Sequence, residues 1–178
     1  MPPEPVLPLG EEGPLSAGRC PSLLVTSLPG RDSWAFEEIG DTVIAADPLA
    51  RVEATRYRGV FAVFSSRDPY EISSKFVLYT HAFVAWVLPV LGCFRDLESL
   101  ARSAPRPPRP ASLEVRLRDP LKRRLGEDAV VRALAGAGVR LSKGSELVIF
   151  VESLDDLLLL SYGRKVPCGP SCFTLVRP

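Results

Sequence analysis

The chain contains no asparagine and no glutamine, and only one methionine and one histidine occur among its 178 residues. Such an absence of thermolabile amides is typical of proteins from thermophiles. The excess of arginine over lysine is compatible with that interpretation and also with a GC-rich genome. Because hydrophobic residues make up 46% of the chain and charged residues 24%, a largely disordered protein is excluded.

Signals for secretion or membrane insertion are also scarce. The first twenty residues are proline-rich and acidic, unlike a signal peptide, and we expect residues 1–21 to form a mobile tail. Residues 76–94 contain no Asp, Glu, Lys or Arg and would be long enough to cross a bilayer. His81 and Pro89 interrupt this run, and its second part is β-branched and aromatic, so it predicts a helix end followed by a buried strand. We therefore expect a cytoplasmic protein without a membrane partner.

Charge is distributed unevenly along the chain. Residues 1–91 carry 7 Lys and Arg against 11 Asp and Glu, a net charge of −4. Residues 92–178 carry 15 against 10, a net charge of +5. An anionic partner would therefore favour the second half.

The first half has the pattern of a β-α-β-β-α-β unit. SLLVTS predicts a buried strand, and RDSWAFEEIG predicts an amphipathic helix that ends at Gly40 or continues through Val43. RVEATRYRG and VFAVFSS predict the two strands of a hairpin, with Gly59 available for the turn. Asp68, Pro69 and Glu71 then have the spacing of a helix start, and AFVAWVLPV predicts a closing strand. This order is that of a ferredoxin-like domain, which we place at residues 22–91.

The second half predicts a further α/β arrangement, at residues 92–178. RDLESLARSA predicts a helix, and LEVRLR predicts a strand with one apolar and one largely basic face. DPLKRRLGEDAVVRALAGAG predicts one helix that stops at Gly136-Ala137-Gly138. VRLSKGSELVIFVES predicts strand, turn and strand, DDLLLLSYGRK predicts one more strand, and VPCGPSCFTLVRP has too many Gly and Pro to assign. The expected fold class is α+β.

Patterns of catalytic residues are not found. The chain has no Gly-x-Ser-x-Gly, no Walker loop and no metalloprotease helix. His81 lies in an apolar run, where a packed histidine is expected more often than a general base. No cofactor is expected, and the chain is not expected to be an enzyme.

Cys168 and Cys172 form the most distinctive local motif in the chain. Two cysteines four residues apart are compatible with a disulfide, with free buried thiols or with part of a metal site. A structural zinc site needs four ligands, and Cys20, Cys93 and His81 lack the paired spacing that would complete one. A thiol-dependent enzyme that uses Cys168 and Cys172 remains an alternative.

Basic residues of the second half indicate a different function. Cations cluster on one strand face, on the first turn of the following helix and at strand ends or turns, as expected for binding the phosphates of a nucleic acid. The alternative is a surface of arginine ion pairs. The candidate RNA-binding residues are Arg116, Arg118, Lys122, Arg123, Arg124, Arg140, Lys143, Arg164 and Lys165.

Several stretches resemble, in order, the pattern of THUMP-domain proteins. They are SLLVTSLPGRDSWAFEEIGD, EATRYRGVFAVFSSRDPYEI, VLPV, RDLESLARSA, LEVRLR, RRLGEDAVV and VRLSKGSELVIFVES. Arg118 matches the basic end of the family's strand, Leu125-Gly126 its helix and Lys143 its turn. The loop after LEVRLR, longer and basic in many members, is here only Asp119-Pro120.

The resemblance implies a ferredoxin-like domain followed by a THUMP domain, which together bind the acceptor end and the single-stranded 3′ terminus of tRNA. It is greatest to the short THUMP-only adapters and their archaeal relatives, which present tRNA to an RNA cytidine acetyltransferase that forms N4-acetylcytidine. We therefore expect a non-catalytic tRNA-binding adapter. The alternative is a protein-interaction module without an RNA ligand.

Overall fold

A computed structural model describes residues 19–178, so most of the predicted tail, residues 1–21, lies outside the described residues. Contacts divide the described chain into two units, residues 19–89 with 166–176 and residues 90–165 with 177 and 178. The strands are β1 (Leu23–Ser27), β2 (Arg51–Ala54), β3 (Val60–Phe64), β4 (Val84–Pro89), β5 (Gly92–Phe94), β6 (Ser112–Arg116), β7 (Leu147–Leu154), β8 (Leu157–Gly169) and β9 (Cys172–Val176). The helices are α1 (Asp32–Ala46), α2 (Pro69–Lys75), α3 (Leu97–Ser103), α4 (Leu121–Arg124) and α5 (Glu127–Gly136).

The first unit has the strand order of a ferredoxin-like domain. Strand β1 pairs antiparallel with both β3 and β4, and β3 pairs antiparallel with β2, which gives the order β2-β3-β1-β4. The predicted β2–β3 hairpin is present, and Gly59 in its turn has a φ of +71°, which glycine adopts without strain. Helix α1 continues through Gly40 and Val43 to Ala46.

Helix α2 begins as its sequence predicts. The side chain of Asp68 accepts hydrogen bonds from the backbone N–H groups of Tyr70 at 2.8 Å and Glu71 at 3.3 Å, and Pro69 is the first helical residue. After α2, one 3₁₀ turn and a loop lead to the buried strand β4, so the apolar run is a helix end followed by strands. No helix within residues 19–178 is long and apolar enough to cross a membrane.

The last strand belongs to the first unit, which corrects the predicted domain boundary. Strand β9 pairs in parallel with β4, with Phe173 opposite Trp86 and Thr174 opposite Val87. Ser73 of α2 donates a hydrogen bond to the carbonyl oxygen of Leu175 at 2.9 Å. Residues 166–176 therefore belong to the first unit, whereas the sequence predicts a domain of residues 92–178 that includes them.

The second unit is an α/β arrangement around β7. Strand β7 pairs in parallel with β6 and antiparallel with β8, and β8 pairs with β5, a strand that the sequence pattern did not predict. Apolar side chains of α3, α5 and these strands form its core, including Leu100, Val130, Leu134, Ile149 and Leu160.

Two local predictions for the second unit are wrong. The helix expected from DPLKRRLGEDAVVRALAGAG is two helices, because Leu125 and Gly126 both have extended backbone conformations and separate α4 from α5. The strand expected at VRLSK is reduced to a single bridge between Leu141 and Ala111. The predicted stop after α5 is confirmed, since Gly138 has a φ of +87°.

Candidate nucleic-acid interface

All nine predicted RNA-binding residues lie in the second unit, where the structure divides them into two groups. Parallel strands β6 and β7 have their starts at one end and their carboxyl ends at the other, about 13 Å away for five residues. The carboxyl-end group consists of Arg116, Arg118, Lys122, Arg123 and Arg124, and the amino-end group of Arg140, Lys143, Arg164 and Lys165.

A buried glutamate pairs with two arginines, one at the end of β6 and one just after it. Glu152 of β7 is 1% exposed, and its Oε2 accepts a hydrogen bond from Arg118 Nη1 at 2.9 Å. Its Oε1 lies 3.6 Å from Arg116 Nη1, and the Arg116 guanidinium also lies 5.3 Å from the centre of the Phe150 ring. Arg118 Nη1 donates in addition to the carbonyl oxygen of Ser153 at 3.0 Å. These two arginines are therefore parts of an internal ion-pair network, and together with Glu152 they contribute one net positive charge.

Helix α4 presents the exposed cations of the same group. Lys122, Arg123 and Arg124 make up most of this single turn, and all three side chains are exposed. Arg123 Nη2 lies 3.4 Å from Asp119 Oδ2, but both side chains are more than half exposed, so the pair contributes little to stability. Lys122 and Arg124 have no ion pair with any of residues 19–178. Asp119 and Glu152 offset two of the five cations of the carboxyl-end group, and Glu127 and Asp128, which begin α5 two residues after α4, bring further negative charge close to it.

The amino-end group borders a groove that runs along β6. Lys143 lies in a groove of about 490 Å³ that is also lined by Glu114, Glu127 and Asp128. Arg140 donates a hydrogen bond to the carbonyl oxygen of Pro108 at 2.8 Å, which fixes part of its guanidinium. Glu127 and Asp128 begin α5 two residues after α4, so of the groove carboxylates only Glu114 lies on β6 itself.

Sequence patterns did not single out Glu152. It is an acidic residue in the strand LVIFVESL, whose eight residues are all buried. A lone carboxylate in such an apolar run signals a buried charge that needs a partner, and the alternating Arg116 and Arg118 of the neighbouring strand supply it.

His81 and the cysteine pair form a separate arrangement in the first unit. His81 is buried, with its Nδ1 3.1 Å from the carbonyl oxygen of Cys168 and its Nε2 2.9 Å from Thr42 Oγ1. Cys168 and Cys172 are joined by a disulfide in the β8–β9 hairpin, and both are buried. A reactive cysteine needs an accessible thiolate, so this arrangement offers no nucleophile. The described residues contain no free cysteine and no group of three side chains that could hold a metal ion.

Comparisons with known proteins find similarity of fold. No protein-family model matches the chain, and no curated protein matches it. The structure of TrmN from Thermus thermophilus matches with a TM-score of 0.50 and 18% identity, over 79% of this chain and 44% of that one. A 4-thiouridine synthetase, solved as an RNA complex with bound ATP, matches with a TM-score of 0.49 and 13% identity over 82% of this chain and 42% of that one. PH1313 from Pyrococcus horikoshii matches with a TM-score of 0.49 and 12% identity over 79% of this chain and 53% of that one.

The fold resembles the THUMP region of tRNA-modifying enzymes. The resemblance that the sequence motifs indicated is thus supported for the fold over most of the chain. The chain spans about half of the length of these structures or less.

Proposed function

We propose that the protein binds tRNA through the carboxyl-end group and catalyses no reaction itself. The observation that carries the proposal is the exposed turn of Lys122, Arg123 and Arg124, which directly follows β6 in a fold like that of the THUMP region. Three adjacent exposed cations can contact successive phosphates, and Arg116 and Arg118 contribute further positive potential beside them. The finer role is that of an adapter, which presents tRNA to an RNA cytidine acetyltransferase or another tRNA-modifying enzyme.

The exposed, consecutive cations of α4 support the carboxyl end as the principal contact. At the amino end, Arg140 already donates a hydrogen bond to the carbonyl oxygen of Pro108, and the cations lie on separate segments and not in one turn. At the carboxyl end, Glu152 is buried beneath two arginines, Arg123 pairs with Asp119, and Lys122 and Arg124 have no ion pair within residues 19–178. Arg140, Arg164 and Lys165 are then secondary contacts for a longer RNA.

Binding of total tRNA by the purified chain tests this function directly. Three phosphate contacts give a salt slope of about −2.7, so we expect the affinity in filter binding to fall about 40-fold between about 50 mM and 200 mM salt. A double-stranded DNA of similar length serves as the control, and we expect it to bind more weakly than tRNA. Equal binding of both at every salt concentration would reject tRNA as the ligand. No binding of either would favour the protein-interaction module.

A further inference from the structure

Strand β6 is the last strand of its sheet among residues 19–178, and one of its edges is open. Backbone groups of alternate residues in a strand point to opposite edges. Ala111 points away from β7, since its N–H donates to the carbonyl oxygen of Arg140 at 3.1 Å and its carbonyl accepts from the N–H of Ser142 at 2.9 Å. Leu113 and Val115 follow at the same spacing, so their N–H and C=O groups point to this same edge.

The groove that contains Lys143 lies beside that edge. It is lined by Ser112–Val115 of β6, by Glu127, Asp128 and Val131 of α5, and by the loop Leu141–Gly144; we call it the edge groove. No hydrogen bond of the described residues uses the backbone groups of Leu113 or Val115 on this side. An unpaired strand edge inside a groove is a template for an added strand.

The chain itself shows that this edge accepts a parallel partner. Residues 140–142 lie against Ala111 as one bridge of a parallel ladder and then turn away at Gly144, whose φ is +78°. The edge groove continues from the point where this segment leaves. An extended peptide placed there would extend the same ladder along Leu113 and Val115.

Charge and polarity determine which peptide fits. The edge groove carries Glu114, Glu127 and Asp128 against Lys143, a net charge of −2 in a half of the chain that is otherwise basic. None of these four side chains has an ion pair within residues 19–178. Apolar contact is available as well, because Val131 is 40% exposed on the wall of the groove. RNA is disfavoured here, since phosphates would meet three carboxylates.

We infer that the edge groove binds a short, extended, basic segment of a protein partner, which adds to the sheet as a strand beside β6. Its backbone supplies hydrogen bonds to Leu113 and Val115. Its lysine or arginine side chains pair with Glu114, Glu127 and Asp128, while its apolar side chains contact Val131. The inference does not depend on tRNA binding, because its ligand is a peptide at the open edge of β6 and its test contains no RNA.

Fluorescence polarisation with a labelled six-residue peptide of alternating lysine and valine tests the inference on the full chain. We expect this peptide to bind at least tenfold more tightly than its glutamate–valine counterpart. N-methylation of one alternate set of peptide amides should weaken binding at least tenfold, because those amides bond to β6. Binding that is indifferent to N-methylation of either set would overturn strand addition, and equal binding of the basic and acidic peptides would overturn the charge argument.

Charge reversal on the protein provides a second test of the inference. The variant Glu127→Lys with Asp128→Lys should weaken the basic peptide at least tenfold, whereas Glu37→Lys with Asp41→Lys, an equal change on exposed positions of α1, should leave it within twofold. Circular dichroism checks that both variants fold. If one of them does not fold, binding of the N-methylated peptides to the wild-type chain still tests the inference. Equal losses in the two variants, or concentration-dependent self-association through β6 that excludes the peptide, would contradict a basic protein segment as the occupant.

Discussion

Replacing Gly169 by alanine is expected to destabilise the protein by about 3 kcal/mol, the upper part of the usual range for overpacking. A Cβ atom at this position would lie 2.1 Å from the carbonyl oxygen of His81 and 3.0 Å from the carbonyl carbon and the nitrogen of that residue. These are backbone atoms, so no side-chain rotation can relieve the contact. The adjacent hydrogen bond from His81 N–H to the carbonyl of Cys168, 2.9 Å long, holds the two segments together.

The control for this variant is Gly40→Ala in the middle of α1. Apart from its chain neighbours and the backbone of α1 itself, no atom of residues 19–178 lies within 4 Å of a Cβ at position 40, and alanine favours a helix over glycine by about 0.5–1 kcal/mol. Denaturant unfolding should therefore show a gain in stability for Gly40→Ala and a large loss for Gly169→Ala. Stability unchanged in Gly169→Ala would mean that the β8–β9 hairpin does not pack against His81 as described.

Replacing Arg118 by alanine is expected to cost about 3 kcal/mol, because it leaves the buried carboxylate of Glu152 without its hydrogen-bonded partner. Arg116 remains, but its Nη1 is 3.6 Å from Glu152 Oε1, and that oxygen has no hydrogen bond within residues 19–178. In the background of Glu152→Gln, where no buried charge is left unpaired, the same replacement should cost only about 1 kcal/mol.

Arg124→Ala provides the matched control for this pair. Arg124 is exposed and has no ion pair within the described residues, so its loss should change the free energy of unfolding by less than about 0.5 kcal/mol. Chemical denaturation of the wild type, Arg118→Ala, Glu152→Gln and the double variant measures the coupling free energy between Arg118 and Glu152. A cost of Arg118→Ala that is the same with and without the glutamate would show that the ion pair does not stabilise the second unit.

The ferredoxin-like elements could be predicted from the sequence because their signals are local. Asp68 and Pro69 mark a helix start within four residues, and the alternation of β2 and β3 around Gly59 marks a hairpin. The pairing of β9 with β4 could not be predicted, since it joins residues almost ninety positions apart and no local pattern specifies such a partner. The stretch around Cys168 and Cys172 forms the end of β8 and the start of β9, but its Gly and Pro content is typical of turns and did not indicate strands.

The candidate site was predictable in its residue types and not in its arrangement. Clustered cations after β6 indicated a phosphate site, and α4 does expose three of them. The sequence could not show that Arg116 and Arg118 pair with Glu152, because this glutamate lies on a neighbouring strand more than thirty residues away. The carboxylates around Lys143 likewise come from separate elements that only folding brings together.

The salt dependence of tRNA binding by two triple variants tests the central claim most directly. One variant replaces Lys122, Arg123 and Arg124 by alanine, and the other, with the same loss of charge, replaces Arg140, Lys143 and Arg164. We predict that the first lowers tRNA affinity at least tenfold at about 50 mM salt and reduces the magnitude of the salt slope by about 2.7, while the second lowers affinity less than about threefold. Equal losses in the two variants, or unchanged binding in the first, would contradict the assignment of the tRNA contact to the carboxyl end of β6.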